Sequence, residues 1–191
     1  MANHADLIAI ICELAEKDPD AAGRRLEQDY PFIPAKPPRR SFTNFESITV
    51  FTRDGFIDGY TGERLVHLDA LHMLSLLLPE QFPYHPHGKQ DQRHVAHWEL
   101  WPTLDHIIPL ALGGEYDIPN LATTSMFQNL AKANATLEQL GWSLHEPQPE
   151  TGWDGSSSWF IRMYEAMPEA QANGHLSKWY HASKRVLGDD S

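Results

Sequence analysis

The sequence has almost no cysteine. Cys12 is the only one in 191 residues, which excludes an internal disulfide and any cysteine-based zinc ribbon. Such a chain suits a reducing compartment. Long apolar runs are missing as well. The longest near the N-terminus, Leu7 to Cys12, is far too short to span a bilayer, and no basic region precedes it. A cytoplasmic protein with no membrane partner is expected. Basic charge is scarce: 15 Lys and Arg stand against 26 Asp and Glu, a formal net charge of −11. Chains that grip phosphates usually present Lys and Arg. An acidic nucleic-acid enzyme must gather its basic residues on one face, draw affinity from metal or partners, or act on something other than a long duplex. Internal repeats and low-complexity tracts are also absent.

What remains is an ordinary soluble composition, 41% apolar and 21% charged, long enough for one domain with a real core. Asp6–Lys17 has helical apolar spacing, and Asp20 could cap a second helix to about Tyr30. The prolines at 31, 34, 37 and 38 then break any helix. Ile48–Phe51 reads as a short strand, with Tyr60–Val66 as its return. Leu68–Leu78 is apolar on several sides, a buried helix ended by Pro79. Residues 79–98 form a long loop with His85, His87, His94 and His97. The tryptophans are expected in the core. Two helices, over 159–167 and about 175–187, should cover it.

The informative stretch is Thr103–Lys132. It reads as strand (Leu104–Leu110), Gly113-Gly114 turn, strand (Asn120–Thr124), then a helix capped by Ser125, running to about Leu140 and closed by Gly141. Asp105-His106 lies on the first strand, Asn120 opens the second, and Asn129 lies early on the helix. A hairpin folded on a helix can bring these four side chains together. Metal-assisted phosphodiester hydrolysis fits them. Asp105 and the amide oxygen of Asn129 are hard ligands suited to Mg²⁺, and His106 can accept a proton from water. Neighbours on a flat strand point to opposite faces, so the strand must twist or end there for Asp105 and His106 to serve one site.

Asp105-His106, Pro109, Gly113-Gly114, Asn120-Leu121, Asn129 and Lys132 together resemble the motif of HNH (ββα-metal) endonucleases, in the variant whose last ligand is Asn. The match covers about 30 residues of the chain. The resemblance implies an α+β fold with a ββα-metal core inside a mostly helical single domain. The expected parts are a helical segment 1–45, a core 46–140 and a helical segment 141–191. It implies His106 as general base, Asp105 and Asn129 as metal ligands, and Asn120 as the residue that ties the hairpin loop and helps orient the base. Lys132 is expected to approach a phosphate. Arg39 and Arg40, beside Lys36, are expected on the substrate rim, as is the pair Arg24-Arg25; a solvated face is the competing reading. The implied cofactor is Mg²⁺, Mn²⁺ or another divalent metal, and the implied product carries a 5′-phosphate.

Many HNH proteins carry a zinc knuckle upstream. Here Asp58 and Thr61 stand where its cysteines would be, so no structural zinc is expected, and packing by the 68–78 helix should replace it. A zinc site among His85, His87, His94 and His97 is weighed and set below surface or substrate-facing roles, since all-His sites are uncommon. The expected function is DNA cleavage, in restriction or phage defence by association with the family. The alternatives are an RNA-cleaving toxin or defence effector, and an inactive nucleic-acid-binding subunit. A homodimer or larger defence assembly is one reading of the apolar N-terminal helix, and core packing is the other.

Overall fold

A computed structural model describes residues 4–32, 41–146 and 152–188. The chain divides into two compact units, residues 1–38 and 39–191. The first holds two helices, α1 (His4–Lys17) and α2 (Pro19–Asp29). Asp18, rather than Asp20, caps α2, because its carboxylate accepts from the Ala21 amide at 3.0 Å and Pro19 then starts the helix. The expected boundary at 45 moves to 38 because the next helix begins at residue 44 and belongs to the second unit.

The second unit is α+β, with the C-terminal helices packed on the same body as the strands. Its helices α3 (Asn44–Arg53), α4 (Leu68–Leu77), α8 (Ser157–Ala166), α9 (Pro168–Gln171) and α10 (Gly174–Leu187) build the core. One apolar cluster joins Met73 to Phe160, Tyr164 and Leu176; a second joins Ile48, Phe51 and Phe56 to Leu68 and Ala182. Every tryptophan is at least partly buried. Among the described residues no helix is long and apolar enough to cross a membrane.

Ile48–Phe51 is helical, not a strand. Thr43 and Glu46 form a capping box: Thr43 Oγ1 accepts from the Glu46 amide, and Glu46 Oε2 accepts from the Thr43 amide at 2.9 Å. That nucleus outweighs the β-propensity of Ile48, Thr49 and Val50 and buries Ile48 and Phe51 on one face. The expected return strand is a tight turn instead, with a single bridge between Ile57 and Arg64. Asp58 holds it. Its carboxylate accepts from the amides of Tyr60 (2.9 Å), Thr61 (3.3 Å) and Ser125 (2.8 Å) and from Thr124 Oγ1 (3.2 Å). A buried carboxylate thus links the turn to the distal strand, at the place where the family resemblance looked for a knuckle, and this polar hub does what helix packing was expected to do.

The strands are β1 (Pro102–His106) and β2 (Leu121–Ser125), paired antiparallel with Asp105 opposite Ala122 and His106 opposite Leu121. The short α5 (Ala96–Glu99) precedes β1, and α6 (Met126–Lys132) follows β2 and packs on both strands. Ser125 caps α6, accepting from the Gln128 amide at 3.1 Å. The helix stops at Lys132 rather than Leu140: Ala133 has φ +47°, and Thr136 opens a separate helix, α7 (Leu137–Leu140), through a capping box with Gln139. Gly141 closes α7 at φ +67°.

Candidate active site

The sequence order strand, loop, strand, helix places four of the candidate residues around β1. Thr103 and Asp105 alternate onto one face, the face that α6 covers. Asn129 and Lys132 are one helical turn apart and both reach β1 from there. Asn129 Nδ2 donates to Thr103 Oγ1 (3.0 Å) and to the Leu104 carbonyl (3.3 Å). A carbonyl only accepts, so the amide nitrogen must point at Leu104, and the amide oxygen is left without a hydrogen bond among the described residues.

Lys132 does not reach for solvent. It is 1% exposed, and its Nζ lies 2.8 Å from Asp105 Oδ2 and donates to the His106 carbonyl at 2.8 Å. The expected phosphate contact is therefore corrected: an ammonium this deep is satisfied by a carboxylate, because an unpaired one would be too costly to bury. Tyr60 completes the arrangement, donating from its hydroxyl to Asp105 Oδ2 at 2.5 Å. Burial, and then the bond to Asp105, push the Tyr60 hydroxyl far above its ordinary pKa, so it stays a donor. Asp105 Oδ1 carries no hydrogen bond among the described residues. One carboxylate oxygen of Asp105 and the amide oxygen of Asn129 are thus both left without a hydrogen bond among the described residues, and both are hard oxygen donors of the type Mg²⁺ takes.

His106 is the last residue of β1, yet the strand end does not bring its ring to the Asp105 face. Its ring turns to the other face, half-buried between Phe42 (centroids 5.9 Å) and Tyr116 (5.3 Å), which stack on each other at 4.6 Å. Its Nε2 is buried and has no hydrogen-bond partner. Burial lowers its pKa below 6.5, Lys132 adds to that, and Asp105 opposes it. The ring is neutral at pH 7, with an orphaned nitrogen able to accept or donate.

Asn120 ties the loop between the strands. Its Oδ1 accepts from the Ile108 amide at 2.9 Å, and its Nδ2 donates to the carbonyls of Ile108 (3.0 Å) and Glu115 (2.8 Å). Gly114 has to be glycine here: a Cβ would meet the Ile108 carbonyl oxygen at 1.9 Å. Gly113, at φ +89°, makes the turn before it.

Arg39 and Arg40, with Lys36, lie outside the described residues. Arg24 and Arg25 are exposed on α2, and Arg25 pairs with Asp29. The histidine-rich loop is built largely from internal contacts. His97 is fully buried beside Ser75, Tyr84 and Trp101, His94 stacks on Phe82 at 4.4 Å, and His85 Nδ1 accepts from the His87 amide. Arg93 lies over Tyr84, Trp98 and Trp101 in the same segment.

Three residues escaped the sequence reading: Asp69, His72 and His175. Their possible ligand atoms lie within 4.8 Å of one another. The Asp69–His72 pair, three apart on α4, was readable as one helical face; His175 was not, because α10 brings it from the far end of the chain. Tyr60 escaped for the same reason.

No family model, curated protein or solved structure matches this chain.

Proposed function

We propose that this chain is a divalent-metal-dependent endonuclease of HNH type that hydrolyses phosphodiester bonds in DNA. The observation that carries the reading is the pair of unpartnered hard oxygens, Asp105 Oδ1 and Asn129 Oδ1, on the α6-covered face of a β-β-α unit whose first strand ends in a neutral histidine. Asp105 and Asn129 would hold a Mg²⁺ or Mn²⁺, which would supply charge neutralisation at the scissile phosphate and the leaving oxygen. Lys132 neutralises the second carboxylate oxygen and, with Tyr60, fixes the carboxylate in one orientation. His106 would accept the proton of the attacking water through its orphaned Nε2, after its ring turns out from between Phe42 and Tyr116 toward Asp105. Asn120 keeps the backbone after His106 in place.

Plasmid nicking with Mg²⁺ or Mn²⁺, with and without chelator, tests the reading. His106→Ala should cost about 10²–10⁴ in rate while metal still binds. Asp105→Ala and Asn129→Ala should weaken metal binding as well as rate. Because His106 acts as a free base with a lowered pKa, the rate should hold at neutral pH and fall only at a pH below the ordinary histidine range, and the acid limb should vanish in His106→Ala. Cleavage by His106→Ala at the parent rate would overturn the role. Digestion of single-stranded RNA, single-stranded DNA and duplex DNA side by side assigns the substrate; cleavage of RNA alone would overturn the DNA assignment.

A second reading is an inactive nucleic-acid-binding subunit. The specific observation in its favour is the Lys132 ammonium on Asp105, a built-in cation beside the proposed metal ligands. No metal-dependent cleavage of any substrate, with nucleic-acid binding retained, would select it.

A further inference from the structure

Asp69 lies in the first turn of α4, fully buried, and His67 before it caps the helix by accepting the Asp69 amide at Nδ1 (3.1 Å). Both carboxylate oxygens of Asp69 are buried, and the side chains that face them are imidazoles, those of His72 and His175. A buried carboxylate met, among the described residues, by two imidazoles and no backbone or hydroxyl donor calls for an explanation. The surroundings converge on one. His72 Nδ1 lies 3.5 Å from Asp69 Oδ1, and His175 Nε2 lies 3.2 Å from the same oxygen. The first is beyond the usual hydrogen-bond range and the second at its upper end. They match the edge of a tetrahedron of ligands around a zinc-sized ion, roughly 3.3 Å for bonds of about 2.0–2.1 Å.

We propose that Asp69, His72 and His175 form a binding site for a borderline divalent transition metal, of which Zn²⁺ is the representative. One carboxylate and two imidazoles are the donor set such ions take when a position is left for water, and nitrogen donors select them over Mg²⁺. The site is supported on both sides. Tyr84 packs on the His72 ring (4.1 Å between centroids), and Trp179 flanks His175 (6.5 Å). Both ring nitrogens of the buried His67 are spent on other partners, Nδ1 on the Asp69 amide and Nε2 against Ser183 Oγ at 2.9 Å, so it does not compete for the Asp69 carboxylate. The His175 side chain is 49% exposed, which gives the ion an entry path and the open position access to water. Bound metal would fasten α4 to the first turn of α10. The site shares no residue with Asp105 and Asn129 and does not depend on the nuclease reading.

The test uses the full chain, stripped with chelator and titrated with Zn²⁺ and Co²⁺. A tight site, a rise in Tm on adding Zn²⁺, and a visible Co²⁺ spectrum of nitrogen and oxygen ligation are expected; excess Mg²⁺ should neither displace the Zn²⁺ nor bleach the Co²⁺ spectrum. His175→Ala removes a half-exposed side chain and should fold, with affinity reduced about tenfold or more. Asp69→Asn should do the same, while His85→Ala with His87→Ala should leave binding intact. Zn²⁺ affinity unchanged in His175→Ala, or no Zn²⁺-dependent rise in Tm for the parent, would show that the cluster is an Asp–His ion pair and overturn the proposal.

Discussion

Two buried aspartates flank the strand pair, and their surroundings differ in kind. Asp58, on the turn before α4, meets three backbone amides and a threonine hydroxyl, so both of its oxygens are occupied by groups the fold itself supplies. Asp105, on β1, meets two side chains, Tyr60 and Lys132, and both go to the same oxygen. The first arrangement fixes backbone and leaves no capacity for a ligand. The second holds a carboxylate in place and leaves one oxygen available. Burial alone does not separate the two, since Asp58 is 1% and Asp105 7% exposed. The partner atoms do.

If that contrast is right, Asp58→Ala should be the most damaging change, costing about 4 kcal/mol in urea unfolding, because it orphans several buried donors at once. A cost under about 1 kcal/mol would mean that water replaces the carboxylate and that the hub is dispensable. Lys132→Met should cost about 3 kcal/mol without metal, since the Asp105 charge loses its cation. Mg²⁺ should restore more Tm to this variant than to the parent, and Asp105→Asn on the same background should recover much of the loss. A Lys132→Met protein indifferent to Mg²⁺ would erase the distinction between the two aspartates. Tyr60→Phe should cost about 2 kcal/mol, the value of a buried hydrogen bond to a charged group. Smallest is Asn120→Ala, about 1 kcal/mol, read best as faster hydrogen exchange at the Ile108 amide.

Local chemistry made part of this legible in advance. Ser125 was recognisable as a cap because its hydroxyl needs only the amide three residues on. The Gly113-Gly114 pair and Asn120 announced a tied loop, although the close approach of Gly114 to Ile108 shows only in three dimensions. The misreading at Ile48–Phe51 had a local remedy: Thr43-x-x-Glu46 is a capping-box pattern that outranks β-propensity. Thr136-x-x-Gln139 marks the restart after Lys132 in the same way. The return strand at Tyr60–Val66 had no such remedy, because the turn there depends on Asp58 reaching Thr124 and Ser125 on a strand more than 60 residues later.

The sequence by itself determined the order of elements around β1, the caps that start and stop them, and the residue types available for metal and proton chemistry. These follow from interactions within a few residues, where the chain has little freedom to choose partners. Only the tertiary structure decided that Lys132 turns inward to Asp105, that Tyr60 joins them, that His106 faces away under Phe42 and Tyr116, and that His175 meets Asp69 and His72. Those pairings lie far apart along the chain. They are selected by which buried charges and polar atoms can satisfy one another once the helices have packed, and no local pattern encodes that choice.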